Sequence, residues 1–344
     1  MSNDNSYSLK QKKLNILVRT VGGTNTSEDL GFGHIYRCIN LAAFLSDHNI
    51  TFLLEDYGGT KKILNEKGHH KIFLLKKNLG VISDLKSTIS LIKKRKIHVL
   101  IIDRYQIKKK YVTQIRRHVK TVLISDLFNV DYDTDLLVNG FIGLKNQTRK
   151  NRYGGKCLFG PKYQILNKKF AESNVKPSKK IELLVTLGGY DKNNIVKTIL
   201  SSLTKTPIKT KIILGPGTTF TSDIKDIAKQ CKSVKITQKT NDMKKEILNV
   251  AFGICSGGIT SYEFAALRVP FAIICQAKHQ LVTARQWQQR GVALNLGLAS
   301  KGIEKKIDVL LEQIPENRLV KVDKKIIDGF GSKRVAKEII KLVN

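Results

Sequence analysis

Long apolar runs are missing from this chain of 344 residues. None approaches the roughly 18 residues needed to cross a bilayer, and the polar stretch Met1–Lys13 lacks the apolar centre of a signal peptide, so a cytoplasmic protein is expected. C-x-x-C pairs are also missing. The five cysteines, Cys38, Cys157, Cys231, Cys255 and Cys275, are odd in number, and Cys275 ends an apolar run; they read as reduced core residues rather than a disulfide framework. The seven histidines form no spaced cluster with cysteines or carboxylates, and His69 and His70 are adjacent, so neither a metal nor another cofactor is expected. No short-period repeat and no low-complexity linker is visible.

Acidic residues are scarce: 28 Asp and Glu stand against 61 Lys and Arg, a net charge of +33. Such a balance attracts anions in general. The lysines are spread over nearly the whole chain, and no aromatic-plus-basic module of a nucleic-acid reader is legible. The charge therefore reads first as solvated surface. Association with an anionic membrane face or an acidic partner is the alternative, and dedicated nucleic-acid binding is disfavoured.

What is present is an alternation of strand-like and helix-like segments, which argues for parallel sheets covered by helices. Strands are predicted at Leu14–Val18, Ile50–Leu54, Ile72–Leu75, Val99–Ile102, Val122–Ile124 and Leu136–Val138, with helices at Ile35–Leu45, Thr60–Glu66, Val81–Lys94 and Lys110–His118. A second series follows Pro177-Ser178: strands at Ile181–Val185, Ile212–Leu214, Val234–Ile236, Val250–Ile254 and Phe271–Ile274, and helices at Asn193–Leu203, Ser222–Cys231, Asp242–Val250, Ile259–Leu267 and Gln280–Arg290. The expectation is an α/β protein of two doubly wound Rossmann-like domains, 14–160 and 178–330, facing across a cleft and joined through Cys157–Lys180. The helical pattern in 331–344 is placed as a segment able to pack back on the first domain. Ligands of open α/β sheets sit beyond the carboxyl ends of the strands, so loops after strands are where chemistry is sought.

Four loops stand out. Gly31-Phe32-Gly33-His34-Ile35-Tyr36-Arg37 puts a glycine turn, a histidine and an arginine where the first strand hands over to the first helix. A helix N-terminus reached through glycines offers free N–H groups to an anion, and His34 is the side chain best suited to move protons near neutrality. A turn with a structural histidine is the plainer alternative. Thr186-Leu187-Gly188-Gly189-Tyr190-Asp191 lets backbone approach a ligand closely, with Asp191 as a contact or simply a cap of the next helix. Ser256-Gly257-Gly258-Ile259-Thr260 opens a helix as a phosphate cradle, and Glu263, one turn on, is placed to accept from a ribose diol; an ordinary turn with an exposed glutamate is the alternative. Gln276-Ala277-Lys278-His279-Gln280 follows a buried strand at the end where a sugar would sit, with His279 either a contact or a solvent-facing cap.

Taken in order, these motifs resemble the UDP-sugar hydrolases of pseudaminic-acid biosynthesis, UDP-2,4-diacetamido-2,4,6-trideoxy-β-L-altropyranose hydrolase and relatives. These share the two-domain GT-B architecture with the N-acetylglucosaminyltransferase of peptidoglycan synthesis. The resemblance runs from about Leu14 to Leu298 and rests on G-x-G-H-x-x-R at Gly31–Arg37, D-x-Y at Asp103–Tyr105 and G-P-x-Y-x-x-L at Gly160–Leu166 with Phe170 beyond. It continues through G-G-x-D at Gly188–Asp191, the Ser-Gly-Gly-x-Thr motif ending at Glu263, and the segment from Gln280 to Gly291.

The resemblance implies that His34 is the catalytic residue. It implies that Gly33, Arg37, Asp103, Tyr105, Gly188, Gly189, Asp191, His279 and Gln280 surround the sugar, with Asp103 orienting His34 or capping a helix, and that Ser256, Gly257, Gly258, Thr260 and Glu263 hold UDP. Three departures touch the sugar side: His279-Gln280 where the family shows Asn-Gln, the loop Thr20–Leu30 after Arg19 without a matching aspartate, and Asn167 where arginine is common. The expected reaction is attack of water on the anomeric carbon of a UDP-linked (di)acetamido deoxy sugar, in nonulosonic-acid or surface-glycan biosynthesis. Transfer of the sugar to a hydroxyl or lipid-linked acceptor is the second reading. A non-catalytic nucleotide-sugar or nucleic-acid binding protein is the third.

Overall fold

In the computed structural model the residues described are 12–23, 31–55, 57–104, 107–126, 131–171, 181–314 and 326–343. The first half runs β1 (Asn15–Thr20), α1 (Gly33–Ala42), β2 (Asn49–Glu55), α2 (Thr60–Glu66), β3 (Ile72–Leu75), α3 (Val81–Lys94), β4 (Val99–Asp103), α4 (Lys109–Arg116), β5 (Lys120–Ile124), β6 (Leu136–Asn139), β7 (Gln147–Lys150) and β8 (Lys156–Phe159). The second half runs β9 (Ile181–Thr186), α5 (Ile195–Lys205), β10 (Thr210–Ile213), α6 (Ser222–Gln230), β11 (Val234–Thr237), α7 (Met243–Leu248), β12 (Val250–Cys255), α8 (Ile259–Leu267), β13 (Phe271–Cys275), α9 (Gln280–Gln289), β14 (Ala293–Leu298), α10 (Ile303–Gln313) and α11 (Gly331–Ile340).

Each half folds on its own sheet. The first sheet has the order β3-β2-β1-β4-β5-β6-β8-β7 and the second β11-β10-β9-β12-β13-β14. All neighbours are parallel except β7 against β8. Parallel strands covered by helices on both faces must be apolar on both sides, and the central strands β4, β6 and β13 are buried along their whole length. In both sheets the strand order reverses beside the first strand of the series, so each domain has its switch point at the carboxyl ends of β1 and β4, or of β9 and β12.

The register across the first switch point pairs Thr20 with Asp103, which ends β1 and β4 at one level. Helix α1 starts at Gly33, two residues ahead of the predicted start, so His34 and Arg37 both lie in its first turns and, three apart, on one face. The chain does not divide cleanly at 160. Phe141, Ile142, Leu166 and Phe170 pack with Tyr262, Phe271, Trp287 and Ile327 in the core of the second domain. Val335, Ala336 and Ile339 of α11 belong to the first domain's core beside Ile35, Ile39 and Leu158, and Ser332 donates to the Leu166 carbonyl at 2.6 Å. Among the described residues no helix is long and apolar enough to cross a membrane.

Candidate active site

The end of β4 supplies Asp103, fully buried, and α1 brings two side chains onto it. His34 Nδ1 lies 2.7 Å from Asp103 Oδ1. Arg37 donates from Nε to Oδ2 at 2.8 Å and from Nη2 to Oδ1 at 2.6 Å, a two-pronged pairing. Burial by itself would raise the Asp103 carboxyl, but Arg37 and then His34 outweigh it and hold it well below the ordinary carboxylate range. An ionised carboxylate can only accept, so its short contact decides the imidazole tautomer over the 3.2 Å contact between Nδ1 and Arg37 Nη2. Nδ1 is therefore the donor in this contact, and in the neutral ring Nε2 is the acceptor. The His34 side chain keeps 12% exposure, enough for its free edge to meet solvent or substrate.

Sequence reasoning missed Asp126. It lies two residues past β5 and takes both terminal nitrogens of Arg37, Nη1 to Oδ1 at 2.6 Å and Nη2 to Oδ2 at 2.9 Å. Desolvation opposes its ionisation, and Arg37 outweighs that too. Arg37 is thus clamped between a buried and a half-exposed carboxylate. The available signal was positional: a carboxylate just past the strand neighbouring β4, at the ligand-facing end of the sheet.

Arg19 finds its acids elsewhere in the chain. It is fully buried, donates to Asp84 of α3 from Nε at 3.2 Å and Nη2 at 2.7 Å, and pairs with Glu55 of β2 at 3.0 Å. Arg104, directly after Asp103, joins the same two carboxylates from the partly exposed side. Asn167 reaches Asn40 of α1 at 3.3 Å. Tyr105 lies outside the described residues.

In the second domain, the turn between β12 and α8 is braced from behind. Gly258 is the extended residue before α8, its carbonyl accepts the Ser261 hydroxyl at 2.7 Å, and the indole N–H of the buried Trp287 donates to Ser261 Oγ at 3.1 Å. Ser256 and Thr260 are buried at the turn. Gly257 packs on α9: a Cβ there would sit 2.8 Å from Gln280 Cβ. Glu263, half-buried, has no hydrogen-bond or ion-pair partner among the described residues, and burial pushes its carboxyl up to about 7.

The other two loops close around this turn. Gln276 donates from Nε2 to the Leu187 and Tyr190 carbonyls at 3.1 and 3.0 Å and accepts the Lys192 N–H at 2.9 Å, tying the loop after β13 to the loop after β9. Gln280 Oε1 accepts the Gln276 N–H at 2.9 Å, a bond internal to its own turn. Asp191 accepts the N–H groups of Ile195 at 3.0 Å and Val196 at 2.8 Å, so its carboxylate caps α5, the plainer of its two readings. His279 stands exposed immediately before α9, and Gly188 adopts a positive φ of 84° beside Ser256.

The switch points of the two domains meet. A Cβ on Gly189 would lie 3.1 Å from the ring of Phe32, the residue immediately before α1. Tyr262, on α8 just past the Ser-Gly-Gly turn, accepts the Ile142 N–H at 3.1 Å and lies within the field of Asp126 and Arg37. His279 is within electrostatic reach of Asp126 and His34. His34, two residues past Phe32, and the Gly188-Gly189 turn therefore lie at one junction between the two domains.

No family model matches the chain. It is 25% identical over 326 residues to the spore coat polysaccharide biosynthesis protein SpsG of Bacillus subtilis, covering 89% of this chain and 93% of that one. It is 24% identical over 273 residues to the UDP-2,4-diacetamido-2,4,6-trideoxy-beta-L-altropyranose hydrolase of Campylobacter jejuni, covering 78% and 95%. An uncharacterized protein of Methanocaldococcus jannaschii is 25% identical over 277 residues, 75% of this chain, and the chain spans about half of that protein, 55%. Among solved structures, Acinetobacter baumannii MurG superposes with a TM-score of 0.65 at 12% identity, over 95% of this chain and 99% of that one. An S. aureus MnaA-UDP co-structure gives 0.62 at 10% identity over 96% and 97%. The chain has the GT-B fold.

Proposed function

We propose that the protein is an enzyme acting on nucleotide sugars, a hydrolase that releases UDP from a UDP-linked (di)acetamido deoxy sugar. The observation that carries this reading is the 2.7 Å His34–Asp103 pair at the switch point of the first sheet, beside the place where Phe32 meets Gly189 of the second domain. The named activity of the Campylobacter relative supports the hydrolytic chemistry, and the named role of the Bacillus relative supports a place in polysaccharide biosynthesis.

In this reading Gly257, Gly258 and Thr260 hold the diphosphate at the N-terminus of α8, where N–H groups and the helix dipole favour negative charge. Glu263 accepts from the ribose hydroxyls. The sugar lies toward the first domain between Gly33, Asp126, His279 and the loop after β4. A water oxygen bonds to the anomeric carbon as the bond from that carbon to the diphosphate oxygen breaks. The water's proton passes to His34 Nε2, the bonding pair leaves with UDP, and the configuration inverts. Asp103 keeps the imidazole in the required tautomer and stabilises the imidazolium that forms, and Arg37 holds Asp103 ionised. Such base assistance is worth about 10²–10⁴-fold, and donors fixed on the leaving diphosphate add to it.

Transfer to a hydroxyl acceptor uses the same base and the same leaving group. This second reading is favoured by two neighbours of the same fold that are named as a glycotransferase and a glycosyltransferase. Nucleotide release from a panel of UDP- and other nucleotide-linked amino sugars separates the two. Free sugar plus UDP in water alone supports hydrolysis, and turnover only after an acceptor is added supports transfer. Absence of release from every member, with or without acceptor, leaves a binding protein and contradicts both.

A further inference from the structure

Arg37 is turned inward and Asp126 outward. Four hydrogen bonds run from Arg37 to carboxylates: Nε and Nη2 donate to Asp103, and Nη1 and Nη2 donate to Asp126. A guanidinium has five N–H groups, so little of it is left for a ligand, and the side chain is only 9% exposed. Asp126 lies two residues past Ile124, the residue of β5 that pairs with Asp103, and its side chain keeps 52% exposure. Arg37 Nη2 lies 2.9 Å from Asp126 Oδ2 and 3.2 Å from His34 Nδ1, so one nitrogen joins the exposed carboxylate to the imidazole. Two carboxylates on one guanidinium leave one negative charge uncancelled, and Asp126 is the member that solvent reaches. The neighbouring cation Arg104 is held by Asp84 and Glu55.

We infer that Asp126 selects the sugar: it accepts from a hydroxyl or acylamino N–H of the pyranose and turns away sugars that carry a carboxylate. The inference rests on the nucleotide-sugar reading above and adds the class of sugar, neutral and bearing donors. Each Asp126 oxygen accepts one Arg37 nitrogen, and a carboxylate offers about four acceptor positions, so each oxygen can take a further donor. Bonds to a charged acceptor are among the stronger ones, and here Arg37 holds the acceptor in place before the ligand arrives. A uronate brought to the same place sets a third carboxylate beside two that already share one guanidinium. Arg37 cannot turn to the newcomer without releasing Asp103 or Asp126, and Asp103 is fully buried. Like charges brought together in a cleft then oppose binding.

The test measures the affinity of the full chain and of Asp126→Asn for three probes: UDP, UDP-N-acetylglucosamine and UDP-N-acetylglucosaminuronate. The last two differ only in a hydroxymethyl group against a carboxylate, and any probe that is turned over is compared by kcat/KM instead. The native chain is expected to favour the neutral sugar over the uronate by about tenfold or more. Asp126→Asn keeps the shape and loses the charge, so it should bind the neutral sugar more weakly and bring that preference to about threefold or less. Affinity for UDP alone, which lacks the sugar, should match in the two proteins. A native chain without the preference, or the same preference in Asp126→Asn, overturns the inference while leaving UDP binding intact. Should Asp126→Asn fail to fold, the native preference is followed as salt is raised: it should shrink by screening, and a preference indifferent to salt overturns the inference as well. Failure of the native chain to bind UDP at all contradicts the nucleotide-site reading itself, and the inference falls with it.

Discussion

His34 and Asp103 stand 69 positions apart in sequence and meet at 2.7 Å, Nδ1 against Oδ1. One is carried by the first turn of a helix and the other by the last residue of a buried strand. Arg37, one helical turn past His34, closes the arrangement on the same carboxylate and on Asp126. The consequence is electrostatic: a buried aspartate stays ionised, and its charge fixes which imidazole nitrogen faces the ligand.

Removing the guanidinium leaves that buried charge unpaired. Arg37→Met is expected to destabilise the fold by about 3–5 kcal/mol, because the desolvation of Asp103 is no longer offset. Urea unfolding of the variant against the native chain near neutral pH measures it. Because the folded carboxyl of Asp103 lies below its unfolded value, its contribution is present above about pH 4 and is lost as pH falls through the folded value. The deficit of Arg37→Met should therefore shrink in acid. A deficit that is negligible at neutral pH, or that grows in acid, contradicts this account of the pair.

Glu263 gives the opposite pH signature. Its folded carboxyl is raised from 4.5 to about 7, so the folded chain binds that proton more tightly than the unfolded one. The group favours folding fully below pH about 4.5, and that contribution is lost as pH rises through about 7. Glu263→Gln should be close to the native chain in stability at pH about 5 and more stable at pH about 8, while weakening UDP binding because one of the two accepting oxygens becomes an NH2 donor. Chemical unfolding at the two pH values, with a UDP titration of each protein, reads both effects.

A side chain at Gly257 closes the diphosphate turn. A methyl group there would lie 2.8 Å from Gln280 Cβ and 3.0 Å from the Gln280 carbonyl oxygen, so the turn or the start of α9 must move. Gly257→Ala is expected to weaken UDP binding at least tenfold, about 1.4 kcal/mol, with His34 and Asp103 untouched. Unchanged UDP affinity would show that the turn does not hold the nucleotide.

Legibility in the sequence followed the kind of signal each residue carries. The buried strands β1, β4, β9, β12 and β13 are nearly continuous apolar runs, and the glycine turns stand where strands hand over to helices, so two doubly wound domains and the place of His34 at a strand-to-helix turn could be drawn from the pattern, while the GT-B reading came from the resemblance of the ordered motifs. The β7–β8 hairpin was not visible, because Gln147–Lys150 is polar and exposed throughout and gives no alternation. No element is assigned from sequence over 293–313, although Ile303, Ile307, Leu310 and Leu311 repeat at helical spacing and are buried in α10. Asp126 carries no motif. Its role arises only when β5 is laid beside β4 and Arg37 reaches past Asp103 to it. The partners of Arg19 were hidden for the same reason, since Asp84 and Glu55 come from a helix and a strand distant in sequence. Asp191 shows the converse: the spacing allowed a ligand contact or a cap, and both its oxygens are occupied by α5.

The most direct measurement is UDP release by His34→Ala from whichever nucleotide sugar the native chain turns over, followed at saturating substrate. A fall of about 10²–10⁴-fold in kcat, with UDP affinity kept near the native value, is predicted for loss of the base. Release at the native rate would contradict the assignment of His34 as the group that activates the nucleophile.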